Sequence, residues 1–214
     1  AAIVPLWEAE TANKQIGDGT TIYRPTPQQI IAEGSGVTAV ALGAQHTCAI
    51  VNAGVQCWGG NALSQLGTGS EANSTRPVQT IPANRGVSAL VAADLRSCAV
   101  QNGGLRCWGL SYGNQQGAAE PLGGRTPVQL IAPHSGVTAV ATMDDGLGAY
   151  LCAVVKAGLQ CWGNNGFGQL GDGTTILRTV PTQILPSGAG VTAVSMGGMV
   201  PIPEPPIAPI PNSP

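Results

Sequence analysis

The chain has 214 residues, of which 31 are Gly and 17 Pro, with only 9% charged residues and a formal net charge of −2. Nine scattered Lys and Arg supply no clustered positive field for phosphate, which argues against a nucleic-acid partner. No stretch approaches 18 uninterrupted apolar residues, so no transmembrane helix is expected. The Gly and Pro recur at fixed places between short Val/Ile/Leu/Ala runs, the mark of β-turns rather than of a disordered, low-complexity chain.

The predicted elements follow a unit of about 50 residues: a Gly-Val-Thr-Ala-Val-like strand, a hairpin closing on Trp-Gly, then a Gln-Leu-Gly-Asp-Gly-Thr-like loop. The first unit, about 1–35, holds Trp7-Glu8, Gln15-Ile16-Gly17-Asp18-Gly19-Thr20 and a closing strand Arg24…Gln29-Ile30. The start at Ala1-Ala2 would suit a mature end left after a small-residue cleavage site. Units of about 36–85, 86–135 and 136–189 begin at Gly36, Gly86 and Gly136 and carry Trp58, Trp108 and Trp162. Their closing strands are led by Arg76, Arg125 and Arg178, each followed by Gln. Residues 190–199 open a further unit at Gly190-Val191-Thr192-Ala193-Val194. One such unit cannot bury its own faces, so the repetition dictates the architecture, and the period fits one four-stranded propeller blade.

All six cysteines fall in one spacing: Cys48/Cys57, Cys98/Cys107 and Cys152/Cys161. In the middle pair, Asn102-Gly103 is a strong two-residue turn signal. Counting outward, Cys98 faces Cys107 at a non-hydrogen-bonded position, where Cα atoms lie about 4.5 Å apart and a disulfide fits. The other hairpins, at Asn52-Ala53-Gly54 and Lys156-Ala157-Gly158, keep the count. Zinc prefers cysteines two to four residues apart, so eight intervening residues suit it poorly. Of the fifteen connectivities six cysteines allow, geometry selects pairing within each hairpin. Three disulfides place the chain in an oxidising compartment, secreted or at the cell surface.

The run "GVTAVALGAQHTCAIVNAGVQCWGGNALSQLGTG" resembles the regulator-of-chromosome-condensation repeat family, and the resemblance covers residues 1–199. It implies an all-β propeller of four-stranded blades, each sequence repeat straddling two blades. The paired cysteines are similar to those of secreted bacterial members. The guanine-nucleotide exchange of the nuclear member belongs to particular surface loops, none of which is matched here. Propellers of the family typically have seven blades, and this chain carries repeat material for about four.

The outermost repeats look like two halves of one unit. Leu6 stands where the second hairpin cysteine would be, and Ile202 where the first would be. Val4, Leu6 and Trp7 are therefore expected to meet the strand of Val194, Met196 and Ile202. The halves could close a small ring, exchange head-to-tail between chains, or belong to a longer protein. Residues 200–214 form a Pro-rich tail, with seven Pro in fifteen residues, read as a semi-rigid spacer or a packing strut.

Little in the chain points to catalysis. His46 and His134 read as lone surface histidines, and Asp144-Asp145 as an exposed loop in an insertion between Met143 and Tyr150. Asp18 and Asp172 sit in Gly-Asp-Gly-Thr turns, where Asp bonds its own backbone. No nucleophile elbow or phosphate loop occurs, and no cofactor or metal is implied. The tryptophans read as core, and Asn73-Ser74-Thr75 as a glycosylation sequon. The expectation is a non-catalytic extracellular structural or adhesive protein whose partner is itself, assembling head-to-tail into a surface filament. The alternative is a secreted binding module or enzyme inhibitor that presents blade loops to another extracellular protein.

Overall fold

A computed structural model describes residues 14–110, 124–144 and 148–196. Every regular element in it is a β-strand, gathered into three four-stranded antiparallel sheets. The first sheet holds β1 (Val37–Leu42), β2 (His46–Val51), β3 (Gly54–Gly59) and β4 (Ser74–Ile81) in chain order. The second holds β5 (Val87–Ala93), β6 (Arg96–Gln101), β7 (Gly104–Gly109) and β8 (Val128–Ile131). The third holds β9 (Val137–Asp144), β10 (Ala149–Val155), β11 (Gly158–Gly163) and β12 (Arg178–Leu185).

Each hairpin turns on two residues that both have positive φ: Asn52 and Ala53 (48° and 51°), Asn102 and Gly103 (49° and 68°), Lys156 and Ala157 (50° and 56°). That pair of angles is the type I′ turn, whose twist matches that of the strands it joins. The turn fixes the register outward, so Cys48 lies opposite Cys57, Cys98 opposite Cys107 and Cys152 opposite Cys161. All three pairs are disulfide-bonded, with Cα atoms 4.1 Å apart.

The sheets stack face to face, and this explains the sequence of the central hairpins. Strand β2 is buried along its whole length because another layer covers each face. Between the first and second sheets lie Ile50, Val55, Leu66, Ile81, Val87 and Trp108. Between the second and third lie Val100, Leu105, Val140, Leu151 and Trp162. Trp58, Trp108 and Trp162 are all fully buried.

Candidate assembly interface

The joint between sheets is built from the loop that follows each hairpin. In the first sheet the buried Asn61 organises it. Its side-chain amide donates to Ser70 O and Ala72 O, and its Oδ1 accepts from Leu66 N. Gln65 Oε1 accepts from Leu63 N. The folded loop aims the backbone carbonyl of Gln65 at the next sheet, where it accepts from Trp108 Nε1 at 2.9 Å and Ser97 Oγ at 3.0 Å. One unit earlier, Gln15 O accepts from Trp58 Nε1 at 2.7 Å and Thr47 Oγ1 at 3.0 Å. These two loops therefore dock the tryptophan of the sheet that follows, Trp58 and Trp108. Sequence reading placed the tryptophans in the core but missed this polar half of the joint; the Asn three residues after Trp58 and after Trp162 was the available signal.

The same loop is fully formed on the third sheet. Asn165 Oδ1 accepts from Leu170 N, and its amide donates to Thr174 O and Ile176 O. Gln169 Oε1 accepts from Phe167 N. Asp172 adds a clamp, accepting from Thr174 N and Oγ1 and from Arg178 Nε at 2.6 Å. The Thr174 hydroxyl, against an opposing effect of burial and with help from Arg178 and Asn165, holds the Asp172 carboxyl well below the usual carboxylate range. Asp18 repeats the clamp with Thr20 and Arg24.

Two partial units flank the three sheets. On one side, Gln15 docks Trp58, while Ile30 and Ile31 pack on the face that carries Ala49, Val51 and Trp58. On the other, Val191 N donates to Ala157 O at 2.9 Å, as Val87 N does to Ala53 O and Val137 N to Gly103 O in complete sheets. Residues 191–196 thus run where an opening strand belongs. Val194 and Met196 pack against Cys152, Cys161 and Leu170 of the third sheet. The remaining expected joining residues, Val4, Leu6, Trp7 and Ile202, lie outside the described residues, as does the Pro-rich tail.

Several expectations change with the structure in hand. His46 is not a surface residue: it is fully buried between the first two sheets, with Nε2 2.7 Å from Ser97 Oγ, and burial lowers its pKa to about 4. It is interior because it opens β2, whose two faces are both covered. The four closing-strand arginines are not equivalent either. Gly163 pairs with Arg178 where Gly59 pairs with Ser74, so Arg76 stands two residues further along its strand. There its guanidinium lies over Gly19 of the preceding loop, while Arg125 pairs with Glu71 at 2.8 Å. Asn73 is exposed, and its Oδ1 accepts from Asn61 N. A glycan would join through the amide nitrogen and leave that bond intact. Asp144 ends β9, and Asp145 lies outside the described residues. Among the described residues no group of three or more His, Cys, Asp or Glu is placed to hold a metal, and no helix is long and apolar enough to cross a membrane.

Compared with known proteins, residues 159–200 match the regulator of chromosome condensation (RCC1) repeat. No curated protein matches the chain. Among solved structures, human WBSCR16 superposes with a TM-score of 0.69 at 22% identity, covering 88% of this chain and 50% of that one. Yeast RCC1 (Prp20), solved with Kap60 bound, gives a TM-score of 0.59 at 20% identity over 72% of this chain and 38% of that one. Prp20p from Saccharomyces cerevisiae, described with its binding to Gsp1p and histones, gives 0.59 at 20% over 72% and 39%. The chain spans half or less of the length of these proteins. At such identities the likeness is one of fold: the three sheets are successive blades of an RCC1-type β-propeller.

Proposed function

From an RCC1-type propeller arc flanked by two partial blades, we propose a non-catalytic extracellular structural module that assembles by completing blades between copies. The carrying observation is that complementary parts of one repeat unit lie at opposite ends of the arc. Among the described residues, 14–31 bring the docking loop and the segment in the closing-strand position, and 191–196 the segment in the opening-strand position. A second copy placed head-to-tail would bring its 14–31 segment to the far side of the blade that Val194 and Met196 open, giving a filament unless the rotation closes. Strand addition of this kind needs no chemistry, only matching apolar faces and backbone hydrogen bonds. The hairpin disulfides suit a secreted or surface-exposed protein, because they persist in oxidising surroundings.

Light scattering and negative-stain imaging of the oxidised protein test this. Polymers or closed rings that fall apart on Val194→Asp with Met196→Asp are the expected result. A wild-type protein that stays at the mass of one chain at every concentration would overturn it. A second reading, a propeller that recognises a different extracellular protein, is supported by the solved relatives, one with Kap60 bound and one described as binding Gsp1p and histones. In that case the native mass stays monomeric and one defined partner is captured.

A further inference from the structure

Where the first two sheets meet, the end of β4 and the residues preceding β8 enclose a groove of about 390 Å³. Arg85 and Arg106 both line it, together with Gln101, and no carboxylate does so among the described residues. Neither arginine forms an ion pair among the described residues. Arg106 donates weakly from one terminal nitrogen to Pro127 O at 3.4 Å, and its buried Nε has no hydrogen-bond partner. Gln101 Nε2 donates to Arg85 O at 2.9 Å and so fixes the backbone that carries the first guanidinium.

The chain contains its own controls. The sheet register and the Gly36, Gly86, Gly136 repeat identify the matching positions at the neighbouring junctions. Arg85 corresponds to Ser35 and Ser135, Arg106 to Gln56 and Gln160, and Gln101 to Val51 and Val155. The fold therefore does not need arginine at these places. Two of the nine Lys and Arg in a chain of net charge −2 line this one groove.

We infer that this groove binds an extended acidic segment of a protein partner, with Arg85 and Arg106 each taking a carboxylate. Guanidinium groups match carboxylates through paired N–H donors; Arg85 is exposed and Arg106 partly buried, so both can be reached from solvent. The groove opens beside β4, an edge strand of the first sheet, and Pro82 and Pro127 give it apolar walls suited to a peptide backbone. A long polyanion such as a sulfated glycan needs a continuous basic stripe, which two arginines do not form. This site stands whether or not blades are completed between copies.

The test is fluorescence anisotropy with a fluorescein-labelled acetyl-(Gly-Glu)₃ peptide, its Gln counterpart, and a heparin hexasaccharide as competitor. The variant Arg85→Ser with Arg106→Gln installs the residues of the sister junctions, so the fold is kept; an unchanged urea midpoint verifies this. The acidic peptide should bind in a salt-sensitive manner, the Gln peptide and the double variant at least roughly tenfold more weakly. Equal binding by variant and wild type, equal binding of both peptides, or no binding at millimolar peptide would overturn the inference. Preference for the hexasaccharide over the peptide would overturn the assignment to a protein partner.

Discussion

Gly67 and Gly171 hold the same place in the loops of the first and third sheets, and alanine at each separates backbone strain from inter-sheet packing. Gly67 has φ +67°, and a Cβ there would lie 2.6 Å from Trp108 Cδ1 and 2.8 Å from Thr80 Cγ2. Gly171 has φ +74°, yet a Cβ there meets only Ile184 Cγ2, at 3.8 Å. Both substitutions force alanine into the left-handed region, at about 1–2 kcal/mol. Gly67→Ala adds overpacking of about 1–3 kcal/mol, because the indole cannot retreat. Trp108 is fully buried and its Nε1 is held by Gln65 O. The expected losses are therefore about 1–2 kcal/mol for Gly171→Ala and about 2–5 kcal/mol for Gly67→Ala. Urea unfolding of the oxidised protein, followed by tryptophan fluorescence and far-ultraviolet circular dichroism, measures both. The two probes must coincide, since repeat arrays can unfold in parts. Equal losses at the two sites would refute the reasoning, because they would mean an indole already covers Gly171 in the single chain. If blades are completed between copies, an incoming tryptophan would meet the new methyl at position 171. Gly171→Ala should then block assembly in light scattering while the single chain stays folded.

Three further outcomes follow from the same geometry. Ala53→Gly should stabilise the protein by about 0.5–1 kcal/mol, read as a raised urea midpoint, because Ala53 holds φ 51° where the middle hairpin uses Gly103; an unchanged or lowered midpoint would count against a strained turn. Cys98→Ala with Cys107→Ala should cost about 2–3 kcal/mol for the short closed loop, read as a lowered Tm. A Tm within error of wild type would show that this staple contributes nothing. Stability should fall between pH 6.5 and pH 5 by about 1.5 kcal/mol. The unfolded chain takes a proton on His46 there, whereas in the folded chain burial lowers its pKa to about 4. His46→Gln should flatten that slope, and a wild-type midpoint constant over this range would refute it.

The fold was legible because its signals are local and repeated. The turn pairs, the cysteine spacing and the Trp-Gly closure each depend on residues within one hairpin, and together they set strand count and register. The docking loop was legible only as a motif. Its meaning, a carbonyl presented to the next sheet's indole, joins residues 43 apart such as Trp108 and Gln65, and no short-range pattern carries that. His46 misled for a related reason. A lone polar residue flanking a strand reads as exposed unless the reader knows that both faces of that strand are covered. The closing-strand arginines misled because Arg76-Pro77 matches Arg24-Pro25 in sequence and all four arginines precede a Gln by a few residues. Pairing with Gln79 and Gln183 shows a two-residue offset.

That offset shows where specificity resides in a repeat protein. Positions that recur unit after unit, such as the cysteines, the tryptophans and the Asn61 and Asn165 hubs, are spent on stacking one sheet upon another. They must be alike because every junction solves the same packing problem. Function has to come from positions that differ between units while the backbone stays the same. Arg76 over Gly19, Arg125 with Glu71, and the Arg85 and Arg106 pair are three such departures, on a chain with few charges to place. Arg76 lies against the preceding loop at Gly19, and Arg125 pairs with Glu71 within the protein. Only Arg85 and Arg106 line a groove with no carboxylate among the described residues to answer them. A charge placed there without an internal counter-charge is best accounted for by one that arrives with a partner.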